Sequence, residues 1–305
     1  MNKLKIGTSD LELGEISLGC MRMADLSEKE AEVVIETALE VGIDLFDHAD
    51  IYGGGKSEEV FAKAFSKNPT KRESLFIQTK CGIRKGQFDF SKEHILESVD
   101  GSLQRLQTDY IDILLLHRPD TLVEPEEVAE AFSILEESGK VRYFGVSNQN
   151  PLQIELLKKY VKQELIVNQL QLSLMHTPMI DAGFNVNMLN DPAIVRDNGI
   201  LEYSRLKDMT IQAWSPFQYG MIEGTFMRNA DYPEVNAKLQ EIAEKKGVTD
   251  SAIAIAWLLR HPAGIQPVIG TMNPQRIKDV AAASDVNLSR EEWYELYLST
   301  GKKLP

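Results

Sequence analysis

Eight short apolar runs of strand character recur along this chain, and each is followed by a helical pattern or a loop before the next begins. The runs are Ile16–Gly19, Ile43–Phe46, Leu75–Lys80, Ile111–His117, Tyr143–Val146, Leu165–Gln169, Thr210–Trp214 and Gln266–Gly270. Strands joined through crossover helices run parallel, and a parallel sheet needs cover on both faces, so few architectures remain. The intervening helices carry their own punctuation. Ser27 and Glu30 form a capping box ahead of Ala31, Val34, Ile35 and Ala38 at helical spacing, and Gly42 closes that helix. Further helices are predicted over 57–66, 91–106, 125–138 with a stop at Gly139, after Pro151, and over 200–207, 233–246 and 250–260. Residues 170–198 and 217–232 read as irregular loops, the first with a short helical piece.

Eight βα units in 305 residues, with no linker and no break in composition, predict one α/β domain over residues 1–305. The expected architecture is a (β/α)8 TIM barrel, led by an N-terminal β-hairpin over residues 3–13 that turns at Gly7-Thr8-Ser9-Asp10. An open doubly wound sheet is the alternative, and it lacks the Gly-x-Gly-x-x-Gly expected after the first strand. The formal net charge of -13, from scattered acidic residues, argues against nucleic acid or an anionic membrane as the main partner. No apolar run is long enough to cross a bilayer, and no signal-peptide pattern opens the chain, which leads to a cytoplasmic expectation. Two cysteines, Cys20 and Cys81, are too few for a disulfide framework or a structural zinc site, so no metal is expected.

In a closed parallel barrel the chemistry sits at the carboxyl ends of the strands. The polar residues there are Asp47, Lys80, His117, Ser147 with Asn148, Gln169, Trp214 with Ser215, and Thr271, and Tyr52 lies in the loop after Asp47. Each alone is an ordinary strand terminus, but the set is chemically coherent. A buried lysine beside a carboxylate stays charged, and its charge is expected to lower the pKa of a neighbouring phenol. A histidine on the adjacent strand can donate to a substrate oxygen. Asp47, Tyr52, Lys80 and His117 together describe proton delivery to a developing alkoxide. His94 and His261 read as surface or helix residues, while His48 and His176 are placed within reach of the pocket.

These residues carry a resemblance that covers essentially the whole chain. Gly42 followed by Asp47-His-Ala-Asp-Ile-Tyr52-Gly53 resembles the signature of the aldo-keto reductases. The resemblance implies Tyr52 as general acid, Lys80 and Asp47 as the partners that tune it, and His117 as the residue that orients the carbonyl. It implies NADPH (NADP+) as cofactor and a small-molecule carbonyl as substrate. Gly145-Val-Ser147-Asn148 and Asn168-Gln169 resemble the segments that meet the nicotinamide carboxamide, and Trp214-Ser215-Pro216 stands in place of the aromatic that stacks on the ring. Ile269-Gly-Thr271-Met-Asn-Pro-Gln-Arg276 resembles the phosphate and adenosine segment, with Arg276 toward a 2'-phosphate and Asp279 at an adenine-contacting position. The chain departs from the pattern at His48, at Gly270 and at Asp279-Val280.

Three other readings compete. Gly53-Gly-Gly55-Lys56-Ser57 imitates the end of a P-loop, but the first required glycine falls on Asp50, whose charge would repel phosphate. A Schiff-base lyase on Lys80 needs a depressed lysine pKa, which a nearby Asp47 opposes. An NADPH-binding redox-sensing regulatory protein with little turnover fits the same cofactor residues, and Cys81 beside Lys80 is then either a sensing thiol or a buried filler. Substrate range is expected to rest on loops 170–198 and 217–232, with Phe217, Tyr219, Met221, Phe226 and Met227 as an apolar wall.

Overall fold

The computed structural model describes residues 1–65 and 69–305. The chain opens with an antiparallel hairpin, β1 (Lys3–Lys5) on β2 (Glu12–Gly14). Its turn is closed by the Leu11 carbonyl accepting from the Ile6 amide at 2.9 Å and the Ile6 carbonyl accepting from the Ser9 hydroxyl at 2.6 Å. Then follow β3 (Ser17–Gly19), α1 (Glu28–Glu40), β4 (Leu45–Asp47), α2 (Lys56–Phe65) and β5 (Phe76–Cys81). The expected last residue of the second helix, position 66, lies outside the described residues. A second small hairpin, β6 (Ile83–Arg84) on β7 (Gln87–Phe88), precedes α3 (Lys92–Leu106) and β8 (Ile111–Leu116).

The alternation continues through α4 (Pro125–Glu137), β9 (Val141–Ser147), α5 (Pro151–Lys158) and β10 (Leu165–Gln171). Two short helices, α6 (Pro178–Phe184) and α7 (Ile200–Leu206), lead to β11 (Thr210–Trp214). After α8 (Pro233–Lys246) and α9 (Asp250–Leu259) come the last strand, β12 (Gln266–Ile269), and α10 (Pro274–Ala281) with α11 (Arg290–Ser299). The predicted capping box forms, with Ser27 and Glu30 satisfying each other's amides, and Ser91, expected as the first residue of its helix, is instead the cap of α3.

The eight strands β3, β4, β5, β8, β9, β10, β11 and β12 pair in parallel and close into a barrel, β9 meeting β10. The barrel expectation therefore holds, with the open sheet excluded by closure. Ile6 and Leu13 of the leading hairpin pack with Leu45, Ile113, Ile166 and Val167 near the starts of β4, β8 and β10. The hairpin thus seals the amino-terminal end of the barrel and leaves the carboxyl-terminal end for chemistry. Helices α10 and α11 and the small hairpin were not among the elements expected from sequence, although Ser289 and Glu292 form a capping box ahead of α11. Helix α11 is held to α9 by a reciprocal clasp, in which Trp257 and Trp293 stack at 4.8 Å and each indole N–H donates to the other's backbone carbonyl at 3.1 and 3.0 Å. No described helix is long and apolar enough to cross a membrane.

Candidate active site

The loop from Asp47 to α2 has to bend sharply, because it must bring Tyr52 back over the barrel mouth. Gly53 and Gly55 make the bend at φ of 60° and 93°, and a Cβ on Gly53 would lie 2.6 Å from the Ala24 methyl. These glycines therefore serve backbone geometry beside Tyr52, and the P-loop imitation ends there.

Asp47 ends β4, Lys80 is the penultimate residue of β5, and His117 follows β8. The Lys80 ammonium, fully buried, donates to Asp47 Oδ2 at 2.8 Å, to the His48 carbonyl at 2.8 Å and to the Tyr52 hydroxyl at 3.2 Å. The Tyr52 and His117 rings meet edge to face at 6.0 Å. The four residues thus form one cluster. Burial works against the Lys80 charge, but Asp47 and Tyr52 outweigh it and hold the ammonium above the ordinary lysine value. A lysine held charged cannot act as a Schiff-base nucleophile, so the geometry speaks against the lyase reading.

One expectation is corrected here. Burial raises the Tyr52 phenol above its ordinary value, and Lys80 lowers it by less, because Asp47 adds an opposing push. The phenol is therefore a protonated acid in the protein alone rather than an activated phenolate. His117 is driven to about 2 by burial, then by Lys80 and Arg118, so its imidazole is neutral. A neutral ring can donate through one nitrogen, and its buried Nδ1 has no partner among the described residues.

The cofactor candidates of the middle strands also touch. The Ser147 hydroxyl donates to the Gln169 carbonyl at 3.0 Å, Asn148 Nδ2 donates to Ser147 Oγ at 2.7 Å, and Trp214 Nε1 donates to Asn148 Oδ1 at 3.2 Å. Asn148 and Ser215 both sit at positive φ, 56° and 53°, where the chain leaves β9 and β11. Gln169 lies inside the barrel, its Nε2 donating to Asp47 Oδ1 at 3.0 Å and to Gln212 Oε1 at 3.1 Å. Beyond β12, Thr271 Oγ1 accepts from the Asn273 amide at 3.2 Å, and Asn273 caps α10 by accepting from the Arg276 amide at 3.0 Å. Arg276 is exposed, and Asp279, one turn along, accepts from Gln275 at 2.8 Å.

Sequence reasoning missed residues that the geometry brings in. Gln78 Nε2 donates to Asp47 Oδ1 at 2.6 Å and to Gln212 Oε1 at 2.8 Å. Gln212 then donates to Gln266 at 2.9 Å, and Gln266 to the Gly14 carbonyl at 2.7 Å. A ladder of buried amides thus runs from the leading hairpin through the barrel to Asp47. Gln78 lies two residues before Lys80 and so on the same face of its strand, a signal present in the sequence. Arg118, half-buried beside His117, places its guanidinium 5.6 Å from the Trp214 ring. Arg22 reaches the last motif, donating to the Gly270 carbonyl at 2.9 Å.

Other candidates fall away from this cluster. His48 is buried against Phe61 of α2 at 4.7 Å, because Asp47 takes the inward position and alternation turns its neighbour outward. His176 has Lys302 and Asp181 as charged neighbours. Burial, then Asp50, pushes the Cys81 thiol well above its ordinary value, which suits an apolar filler and not a sensing thiol. Phe226 is wholly buried in the core, so it belongs to loop packing rather than to a substrate wall.

A model of the aldo/keto reductase family matches residues 15–297. The chain belongs to the aldo/keto reductase family. It is an oxidoreductase, and its relatives are named accordingly. It is 38% identical to a 6-dehydroglucose reductase of Agrobacterium fabrum, over 98% of this chain and 99% of that one. It is 37% identical to the Bacillus subtilis oxidoreductase YcsN, over 94% of each. Among solved structures, the aldo-keto reductase from Klebsiella pneumoniae in complex with NADPH shares the fold at a TM-score of 0.78 and 23% identity, covering 97% of this chain and 93% of that one.

Proposed function

We propose that this aldo/keto reductase reduces the carbonyl of a small, oxygen-rich aldehyde or ketone to an alcohol with NADPH. The observation that carries the reading is the Lys80 ammonium, which bridges Asp47 and the Tyr52 hydroxyl beneath a neutral His117. Bound NADPH supplies the hydride. As the carbonyl carbon gains it, Tyr52 gives its proton to the oxygen, and His117 steadies that oxygen with a hydrogen bond. Lys80 faces the negative charge that Tyr52 would acquire, and Asp47 keeps Lys80 in place.

The residues present suit the cofactor. Trp214 offers a half-exposed aromatic face at the mouth, and Ser147, Asn148 and Gln169 offer amide and hydroxyl groups beside it. Arg276 has no carboxylate within ion-pair distance among the described residues, which suits a guanidinium that pairs with a 2'-phosphate. Thr271 keeps its hydroxyl proton free to donate, since its oxygen is the acceptor for Asn273. Asp279 would stand at the adenine-contacting position of that end.

Arg118 supports the substrate class. A half-buried guanidinium with no carboxylate partner among the described residues, next to His117, offers several donors to substrate oxygens beyond the carbonyl. The relative from Agrobacterium fabrum, named for a dehydroglucose, is consistent with such a substrate. Arg118→Met is expected to raise KM for polyhydroxylated aldehydes about tenfold and to leave benzaldehyde nearly unaffected. Equal losses on both substrates would assign Arg118 to the fold rather than to recognition.

The reading is tested by titrating the protein with NADPH, followed by fluorescence, and then measuring oxidation with a panel of aldehydes and ketones. Binding with turnover supports it, and binding without turnover returns the regulatory alternative. The pH profile gives a second check. Because His117 is neutral down to about 2 and Tyr52 stays protonated past its ordinary value of 10.0, kcat/KM for reduction should be flat through neutrality and fall only on the alkaline side. A break near 6.5, the ordinary histidine value, would show that His117 titrates in the working range.

A further inference from the structure

The arginines of this chain divide by what they meet. Arg72, Arg84, Arg105, Arg142, Arg196 and Arg228 pair with carboxylates. Among the described residues, the arginines with no carboxylate at ion-pair distance are Arg22, Arg118, Arg205, Arg260, Arg276 and Arg290. In a chain of net charge -13, a guanidinium left without a carboxylate is informative. Three of the six, Arg22, Arg118 and Arg276, follow β3, β8 and β12 at the mouth already described. The other three, Arg205, Arg260 and Arg290, converge from separate elements on one cavity of about 330 Å³ in the outer layer of helices.

That cavity lies between α6, α7, the end of α9 and the start of α11, and none of the catalytic or cofactor candidates lines it. Its apolar surface comes from Phe184, Trp293 and Tyr294, whose rings already pack with their neighbours and so stand preformed. Arg260 is fixed from behind, since its Nε donates to the Leu288 carbonyl at 2.8 Å. His261 accepts from the Ala263 amide on Nδ1 at 3.2 Å, so the neutral ring carries its proton on Nε2 and is a donor. Burial, Arg205 and Arg260 hold that ring at about 4, so it adds no charge. Glu202 is the one carboxylate among the lining residues, against three guanidinium groups.

We infer that this cavity is a second ligand site, separate from the reductase mouth, that takes a small planar organic anion: a carboxylate held by Arg205, Arg260 and Arg290 with its flat body against Phe184 and Tyr294. The chemistry is a charge-assisted, two-pronged hydrogen bond from arginine to carboxylate, combined with ring burial. Inorganic phosphate meets the charge requirement but lacks the body, so it binds more weakly than an aryl carboxylate of this kind.

The test uses the intact protein and benzoate as the probe, titrated calorimetrically at constant ionic strength, with benzyl alcohol and inorganic phosphate as comparisons. Arg205 and Arg290 are exposed, so an Arg205→Leu/Arg290→Leu double variant should fold normally, as its reductase activity will report. Benzoate is expected to bind at a single saturable site, tighter than either comparison, and the double variant to weaken it about tenfold or more. Arg118→Met should leave benzoate binding unchanged. Binding that survives the double variant, binding that is lost with Arg118→Met, or no saturation up to about 10 mM would each overturn the assignment.

Discussion

Tyr52→Phe is expected to lower carbonyl reduction by about 10³-fold while NADPH binding stays within about twofold of the native protein. The reasoning starts from what the hydroxyl does and does not hold together. Among the described residues its one polar contact is the 3.2 Å bond it accepts from Lys80, and Lys80 keeps two further acceptors at 2.8 Å, Asp47 Oδ2 and the His48 carbonyl. The substitution therefore removes one oxygen from a buried cluster without leaving a charge unpaired, and the ring still packs against His117. The fold and the cofactor candidates at the ends of β9, β10 and β11 are untouched. What disappears is the proton that the reacting oxygen must receive. Single-turnover measurements with a fluorescence titration separate the two effects. Loss of NADPH binding alongside the rate would show Tyr52 to be part of the binding surface, and a modest loss of rate would move the proton donor to His117.

The barrel was legible because each strand is a short apolar run bracketed by caps that obey local rules, such as Ser27 with Glu30 and Ser91 ahead of α3. Strand ends are equally local, which is why Asp47, Lys80, His117, Ser147 and Trp214 could be singled out by position alone. Other features depend on tertiary context. Two-residue strands such as β6 and β7 have no periodicity to detect, and α11 owes its place to a clasp between Trp257 and Trp293, 36 positions apart in the chain. The sign of the Tyr52 shift is set by desolvation, a property of the closed mouth and not of the residues flanking the phenol. The amide ladder was readable in part, since Gln78, Gln212 and Gln266 are polar residues within strands buried on both faces. Their partners became visible only once β5, β10, β11 and β12 were brought round to face one another.

Lys80→Met should produce a large loss of stability, and it should do so through Asp47. The Asp47 carboxylate is buried, with Lys80 on one oxygen and the amides of Gln78 and Gln169 on the other. Removing the ammonium leaves a buried negative charge supported by two neutral donors, a change that costs about 3–5 kcal/mol, or a fall of roughly 10 °C in melting temperature for a chain of this size. Adding Asp47→Leu removes the stranded charge and should recover much of the loss, because replacing a whole buried pair is far less costly than breaking it. The dependence on pH follows from the direction of the Lys80 shift. Its value is raised on folding, so the contribution is complete below the ordinary lysine value of 10.5 and disappears only as pH rises through the raised one. As pH rises from neutrality, the gap in melting temperature between native protein and Lys80→Met should therefore hold and narrow only in strong alkali. A gap that narrowed as pH rose just above neutrality would mean that Lys80 is not held charged, and the proton-delivery reading of the site would fall with it.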